Sequence, residues 1–136
     1  MSYKIDWTTI DTGWVNCTYA SGYSQPNRAW SNPIQCRKIG RTVYVRGEFA
    51  PNANLTQLEI TIGVVPENFR PSYNVQALCT GIEGERYRVE IMPNGNIVCR
   101  SKIWAVASDP NATVKNHYTW GADRWYSIDM MPYPLG

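Results

Sequence analysis

Four carboxylates, Glu48, Glu59, Glu90 and Asp129, fall on runs that alternate apolar and polar residues. Two of them facing one cleft would make the acid and base of a glycosidase. Exposed strand faces routinely carry a Glu, so binding is the better supported chemistry. The residues read as outward-facing are Trp14, Trp30, Tyr44, Tyr87, Trp104, Trp120 and Trp125, interleaved with Arg46, Arg88, Arg100 and Arg124. Saccharide sites pair an aromatic plane, which packs on the apolar side of a sugar ring, with carboxylates and guanidiniums that hydrogen-bond its hydroxyls.

Within "RYRVEIM" (86 to 92), Arg88 and Glu90 have the same parity and offer a donor beside an acceptor. Across a turn at Asn94-Gly95, Arg100, Lys102 and Trp104 share a parity too, and Trp104 adds a stacking plane. The competing reading of the same residues is a cross-strand salt-bridge ladder beside a core Trp.

Other chemistries find little material. A single histidine, His117, excludes the common His-based metal clusters and leaves no Ser-His-Asp set with a Gly-x-Ser-x-Gly elbow. No Gly-rich loop precedes a helix, no Cys has an evident His partner, and no cofactor or metal is expected. Cys17, Cys36, Cys79 and Cys99 match neither CxxC metal sites nor a dense disulfide framework, and read as four buried thiols. Net charge is +2 without long like-charged blocks, so nucleic acid is not expected as a partner. No apolar run approaches about 18 residues and "MSYKIDWTTI" lacks a signal-peptide core, so neither membrane insertion nor export is expected.

The elements that must position these groups are strands. No apolar period near 3.6 persists, while period-2 alternation recurs through most of the chain, which predicts an all-β protein. "GWVNCTYA" (13 to 20) alternates, then "SGYSQPNRAWSNP" breaks into a loop exposing Tyr23, Arg28 and Trp30. "IQCRKIGRTVYVRGEFA" (34 to 50) predicts a hairpin turning at Gly40-Arg41, with Val43, Val45 and Phe49 inward and Tyr44, Arg46 and Glu48 outward. Strands follow over 55 to 65 and 73 to 82. Asn94-Gly95 predicts a two-residue type I′ turn pairing 86–92 with 96–106, and two last strands are joined through Gly121. The 136 residues suit one domain, an antiparallel β-barrel or two-sheet sandwich, without repeats.

The order "CRKIGRTVYVRGEF", "VPENFRPS", "EIMPNGNIV" resembles the C-terminal receptor-binding head domains of bacteriophage tail proteins, particularly those of siphophages infecting Gram-positive bacteria. The matching positions are Arg37, Lys38, Gly40 and Val43, then Pro66, Phe69 and Pro71, then Gly95 and Ile97, over about half of the chain. Prolines at 66 and 71 would make "PENFRP" a stiff connector between sheets, with Phe69 tucked into the core.

The resemblance implies a homotrimeric head on a tail fibre or baseplate, bound to other tail proteins. Such a head is folded in the host cytoplasm and carried on the virion. It recognises a host cell-wall or surface polysaccharide without cleaving it, and residues 1–12 read as a linker from a stem. A glycan-cleaving depolymerase and a fibre cap without ligand are the alternatives. By position about the Asn94-Gly95 hairpin, the implied saccharide contacts are Trp104, Glu90 and Arg88, and Arg100, Trp30 and His117 complete the candidate set. Where some relatives carry His or Asp in that strand, this chain has Arg88 and Glu90.

Overall fold

The computed structural model describes residues 10–81, 85–104, 115–116, 119–122 and 124–135. Among them the regular structure is short antiparallel strands and one 3-10 turn, Glu67–Phe69. The strands begin with β1 (Val15–Asn16), β2 (Thr18–Tyr19), β3 (Tyr23–Ser24), β4 (Gln35–Ile39) and β5 (Thr42–Arg46). β6 (Glu48–Pro51), β7 (Leu55–Thr56), β8 (Glu59–Val64), β9 (Val75–Thr80) and β10 (Arg86–Ile91) follow. The last are β11 (Asn96–Trp104), β12 (Lys115–Asn116), β13 (Thr119–Trp120), β14 (Tyr126–Ser127) and β15 (Met130–Pro134). No helix among the described residues is long and apolar enough to cross a membrane.

A four-stranded sheet runs β1-β4-β5-β15, and a six-stranded one runs β2-β8-β11-β10-β9 with β12 also on β11. Two smaller sheets are β14-β6-β3 and β13-β7. Among the described residues none closes into a barrel. Cys36, Val43, Val45 and Tyr133 from the first sheet share one core with Ile60, Ile62, Val89, Ile91, Ile97 and Cys99 from the second. The alternation in "TVYVR" explains the inner face, since Val43 and Val45 are buried while Tyr44 between them is exposed. Cys17, also buried, lies where the chain leaves β1 on one sheet for β2 on the other.

At the heart of the core, Phe49, Tyr87, Trp120 and Tyr126 pack with ring centroids 5.1 to 6.3 Å apart. Tyr87 and Trp120 are therefore core residues, contrary to the outward orientation expected of them. Their polar tips reach acceptors inside: Trp120 Nε1 donates to the Gln57 carbonyl at 3.0 Å, and Tyr87 Oη to the carbonyl of Ser127. A ring with a satisfied polar handle can be buried as completely as Phe, so composition alone does not separate core from surface Trp.

The hairpin over the Asn-Gly pair forms, one residue longer than a type I′ turn. Gly95 N donates to Met92 O at 2.8 Å and Met92 N to Asn96 O at 3.0 Å, leaving Pro93, Asn94 and Gly95 in the loop. Proline is pre-set for the second position of a type I turn, and Gly95 follows at φ 91°. Further along, β11 carries one residue more than β10 between the pairs Arg88↔Arg100 and Arg86↔Ile103. This bulge swaps the parity of β11's second half. Lys102 consequently does not share the face of Arg100. It is buried, its Nζ 5.1 Å from the Trp120 ring, 5.2 Å from that of Tyr126 and 3.2 Å from buried Glu85.

The two-proline segment joins β8 to β9, strands of one sheet, rather than two sheets. The β10–β11 hairpin lies between them, so the connector must cross its end. There Val65 N donates to Gly95 O at 2.8 Å and Arg70 Nε to Val65 O at 3.1 Å. Phe69 is buried as expected, and Tyr133 Oη on β15 donates to its carbonyl at 2.7 Å.

Candidate functional site

Arg88, Glu90 and Arg100 do come together. Glu90 Oε1 lies 3.1 Å from Arg88 Nε and its Oε2 2.8 Å from Arg100 Nη2, which also lies 3.4 Å from Glu59. Glu90 is only 3% exposed and each of its oxygens already faces a guanidinium. The group is the cross-strand ladder that the same spacing allowed. Of Trp104 the backbone is described, paired with Lys115, but its side chain is not; His117 lies outside the described residues.

Trp30 stands elsewhere, 61% exposed, at the mouth of a cleft of about 370 Å³ lined by Asn32, Arg46, Gly47, Glu48, Ser127 and Asp129. Three segments build it, and they meet at Gly47. The chain arrives on β5, kinks at φ 124°, and leaves on β6 with Glu48 pointing outward. The 25–33 loop passes directly over this glycine, where a Cβ would lie 2.3 Å from Pro33 O, and Glu48 N donates to Asn32 O at 3.1 Å. From the other side Ile128 N donates to Gly47 O at 3.0 Å, bringing Ser127 and Asp129 alongside. Only a residue without a side chain admits this convergence.

The loop is held by its own polar groups. Gln25 Nε2 donates to Ser31 O at 2.9 Å, Ser31 Oγ to Pro26 O at 2.8 Å, and Ser31 N to Arg28 O at 3.1 Å. Below it, Tyr19 Oη donates to Glu48 O at 2.6 Å and accepts from Ile34 N at 3.2 Å. Burial of this phenol pushes its pKa up to about 12, so it remains a donor.

Trp30 meets Trp125 edge to face, centroids 6.0 Å apart at 85°. The Arg28 guanidinium nests in the corner between them, its Cζ 3.8 Å from one ring centre and 3.1 Å from the other. Arg46 lies over Trp14 at 3.9 Å and donates twice to Gln35 Oε1, at 3.1 and 3.0 Å. Both cations are thus pre-oriented, which spares part of the entropy that a free arginine loses on binding.

Burial raises the pKa of Glu48 above the ordinary carboxylate value, the Arg28 charge lowers it, and the Asp129 charge raises it. Ser127 Oγ donates to Asp129 Oδ2 at 2.9 Å, fixing that carboxylate. An indole face, two carboxylates and a stacked guanidinium around one open cleft can hold a polyhydroxylated ring. Among the described residues no group of three His, Cys, Asp or Glu side chains is placed to hold a metal ion.

Trp30, one of the candidate saccharide contacts, lines this cleft with Glu48 and Asp129, whereas Arg88, Glu90 and Arg100 gather apart from it. Arg28, Trp30 and Trp125 each read as exposed or outward; that they pack on one another was not legible in the sequence. No family model and no curated protein matches the sequence.

Proposed function

We propose that this chain binds a host cell-surface saccharide without cleaving it, as the receptor-binding head of a phage tail. The observation that carries the reading is Trp30, an indole left 61% exposed at the rim of a cleft carrying Glu48, Asp129 and Arg46. An exposed indole beside committed polar groups suits the two-sided character of a sugar ring. The tail assignment rests on the sequence resemblance. With it come a homotrimer, tail or baseplate partners, and folding in the bacterial cytoplasm before incorporation into the virion. Repetition on three subunits and many spikes would let millimolar site affinity hold a particle on its host.

The test is intrinsic tryptophan fluorescence against purified cell-wall polysaccharides from a panel of Gram-positive bacteria. One of them should quench the wild type and leave Trp30→Ala unchanged, at equal thermal stability. Absence of binding by a folded protein across the panel favours the fibre cap.

A second reading has one observation in its favour. Glu48 and Asp129 line the same cleft, and burial, opposed by the Arg28 charge and aided by that of Asp129, raises the Glu48 pKa above the ordinary carboxylate value. Two carboxyls flanking a glycosidic bond are the arrangement of a glycoside hydrolase. Chain length of the polysaccharide after prolonged incubation separates the two: unchanged length supports the adhesin, whereas shortening abolished by Glu48→Gln establishes the hydrolase.

A further inference from the structure

The stretch that carries Arg28 and Trp30 begins just after one buried cysteine and ends just before another. Cys17 extends the pairing of β1 with β4 by one residue, its N donating to Ile34 O at 2.8 Å, and Cys36 lies on β4 opposite Val15. With Val15 facing Cys36 and Cys17 facing Ile34, the two cysteines are diagonal neighbours across the pair. Residues two apart on a strand share a face, so both thiols lie on the inner side, where Cys17 is 7% and Cys36 0% exposed. The hydrogen bond between them raises the Cys17 thiol and lowers that of Cys36, which makes Cys36 the sulfur that ionises first.

The other two cysteines make the contrast. Cys79 pairs with Tyr87 from one side of β10 and Cys99 with Val89 from the other. They are two strand spacings apart, roughly 9–10 Å, beyond the Cα separation of about 4.4–6.8 Å that a disulfide spans. Diagonal neighbours on paired strands lie about 7–8 Å apart at Cα and closer at Cβ. Cys17 and Cys36 therefore need only a small approach, and β1, two residues long at the edge of its sheet, is the strand that can make it.

We propose that Cys17 and Cys36 are a redox pair that closes a reversible disulfide across the base of the Trp30 loop. With a peroxide as oxidant, the Cys36 sulfur attacks one oxygen, the O–O bond breaks, and a sulfenic acid and one water result. The Cys17 sulfur then attacks that of Cys36, the S–S bond forms, the S–O bond breaks, and a second water carries away the remaining thiol proton. Two thiols are oxidised and one peroxide is reduced. Both thiols are covered, so the reaction follows opening of the loop base.

The bond would close a ring that holds residues 18–35 and with them the whole loop. Ring closure removes the open conformations in which the loop lifts off the β5–β6 kink. A bond that draws two strands together is more easily reduced than a relaxed one, which makes it reversible. As a control on ligand binding it rests on the saccharide reading above; formation of the bond does not.

The experiment treats the complete chain with dilute hydrogen peroxide, blocks the remaining thiols in denaturant, and reads a digest at Lys and Arg by mass spectrometry. Each cysteine falls in a different peptide. Ile5–Arg28 and Ala29–Arg37 should appear linked, lighter than their sum by two hydrogen atoms, while Cys79 and Cys99 stay blocked as thiols. Dithiothreitol should undo the link. In the folded protein the same protease should cut after Arg28 at least about threefold more slowly once the bond has formed, and peroxide-treated Cys36→Ser should be cut at the reduced protein's rate.

A digest without that linked pair, or with Cys17 or Cys36 joined to Cys79 or Cys99, overturns the redox pair. A linked pair with unchanged cutting after Arg28 overturns its hold on the loop. If the bond forms and slows cutting while no polysaccharide quenches either form, the redox pair stands and the saccharide reading falls.

Discussion

The Cβ that Gly47 lacks would lie 2.3 Å from the carbonyl oxygen of Pro33. The loop carrying Arg28 and Trp30 is seated on the β5–β6 kink by this absence, and so the cleft depends on a residue with no chemistry of its own. Gly47→Ala should cost at least about 1–3 kcal/mol from the unfavourable backbone conformation, and more from the collision. Gly22→Ala is the control, because Gly22 also has positive φ, 94°, but nothing within 4 Å of its missing Cβ. Urea melts of the two variants should show the larger loss for Gly47→Ala, and its Trp30 fluorescence should respond less to polysaccharide.

Two tryptophans should separate cleanly. Trp120 is fully buried among Phe49, Tyr87 and Tyr126, so Trp120→Ala should lose about 3–5 kcal/mol. Trp30→Ala removes a ring already largely in water, and its melting curve should stay close to wild type. If Trp30→Ala unfolds at a much lower denaturant concentration, the ring is structural and the exposed platform is lost as an explanation.

Why were Arg88 and Glu90 legible as neighbours in the sequence while the Trp30 cleft was not? Period-2 alternation is a local signal, and it located Val43, Val45 and Phe49 inward with Tyr44 outward. It also found the β10–β11 pairing, although Pro93 lengthened the turn. Parity is blind to a bulge, however, and one extra residue before Ile103 sent Lys102 into the core. Nor can alternation report which distant segments meet. Glu48 and Asp129 are separated by 81 positions and converge because β14 pairs with β6, Ser127 opposite Glu48, and Ile128 N donates to Gly47 O. Trp30 was legible as an exposed loop residue, whereas Arg28 is half-buried against the indoles, and the meeting of both with Trp125 was not legible.

The buried charge cluster makes a thermodynamic prediction. Glu85 is 1% exposed and faces Lys102 and Arg124. Burial lowers the pKa of Lys102, and the Glu85 charge opposes that shift. Glu85→Gln removes one counter-charge from a buried ammonium and should cost up to about 3–5 kcal/mol. Glu85→Gln combined with Lys102→Met should recover most of the loss, since the methionine packs against Trp120 and Tyr126 without a charge to compensate. Equal stability of the single and double variants would show that the ammonium had no need of Glu85.

Asp11 supplies a pH dependence. The Arg37 guanidinium donates to it from both Nε and Nη2, and with the Gly13 N–H it lowers the Asp11 pKa from 3.8 to about 2. The folded value lies below the unfolded one, so the contribution is fully present above pH 3.8 and is lost as pH falls through about 2. Wild type and Asp11→Asn should therefore converge in melting temperature across that window. The pair is at the surface, so the difference between them should also shrink in 1 M salt, where screening reaches about 3 Å. A gap that persists at low pH and high salt would mean that Asp11 acts through its fold contacts and not its charge.

The thiols report on the integrity of the core. All four cysteines are free and buried. Burial pushes the Cys79 thiol up to about 12, with the Asp129 charge adding to the shift, and it raises that of Cys99 as well. The hydrogen bond with Cys17 lowers that of Cys36 instead, but Cys36 is fully covered, and a covered thiol reacts only when the structure opens. A disulfide reagent at pH 8 should therefore modify less than one thiol per native chain over minutes and all four in denaturant. Cys17 sits where the chain passes from β1 to β2, so Gly47→Ala, which loosens the neighbouring β5–β6 kink, should speed its modification before that of Cys99 beneath the six-stranded sheet. Rapid modification of Cys99 in the wild-type protein would contradict the packing of β8, β10 and β11 described above.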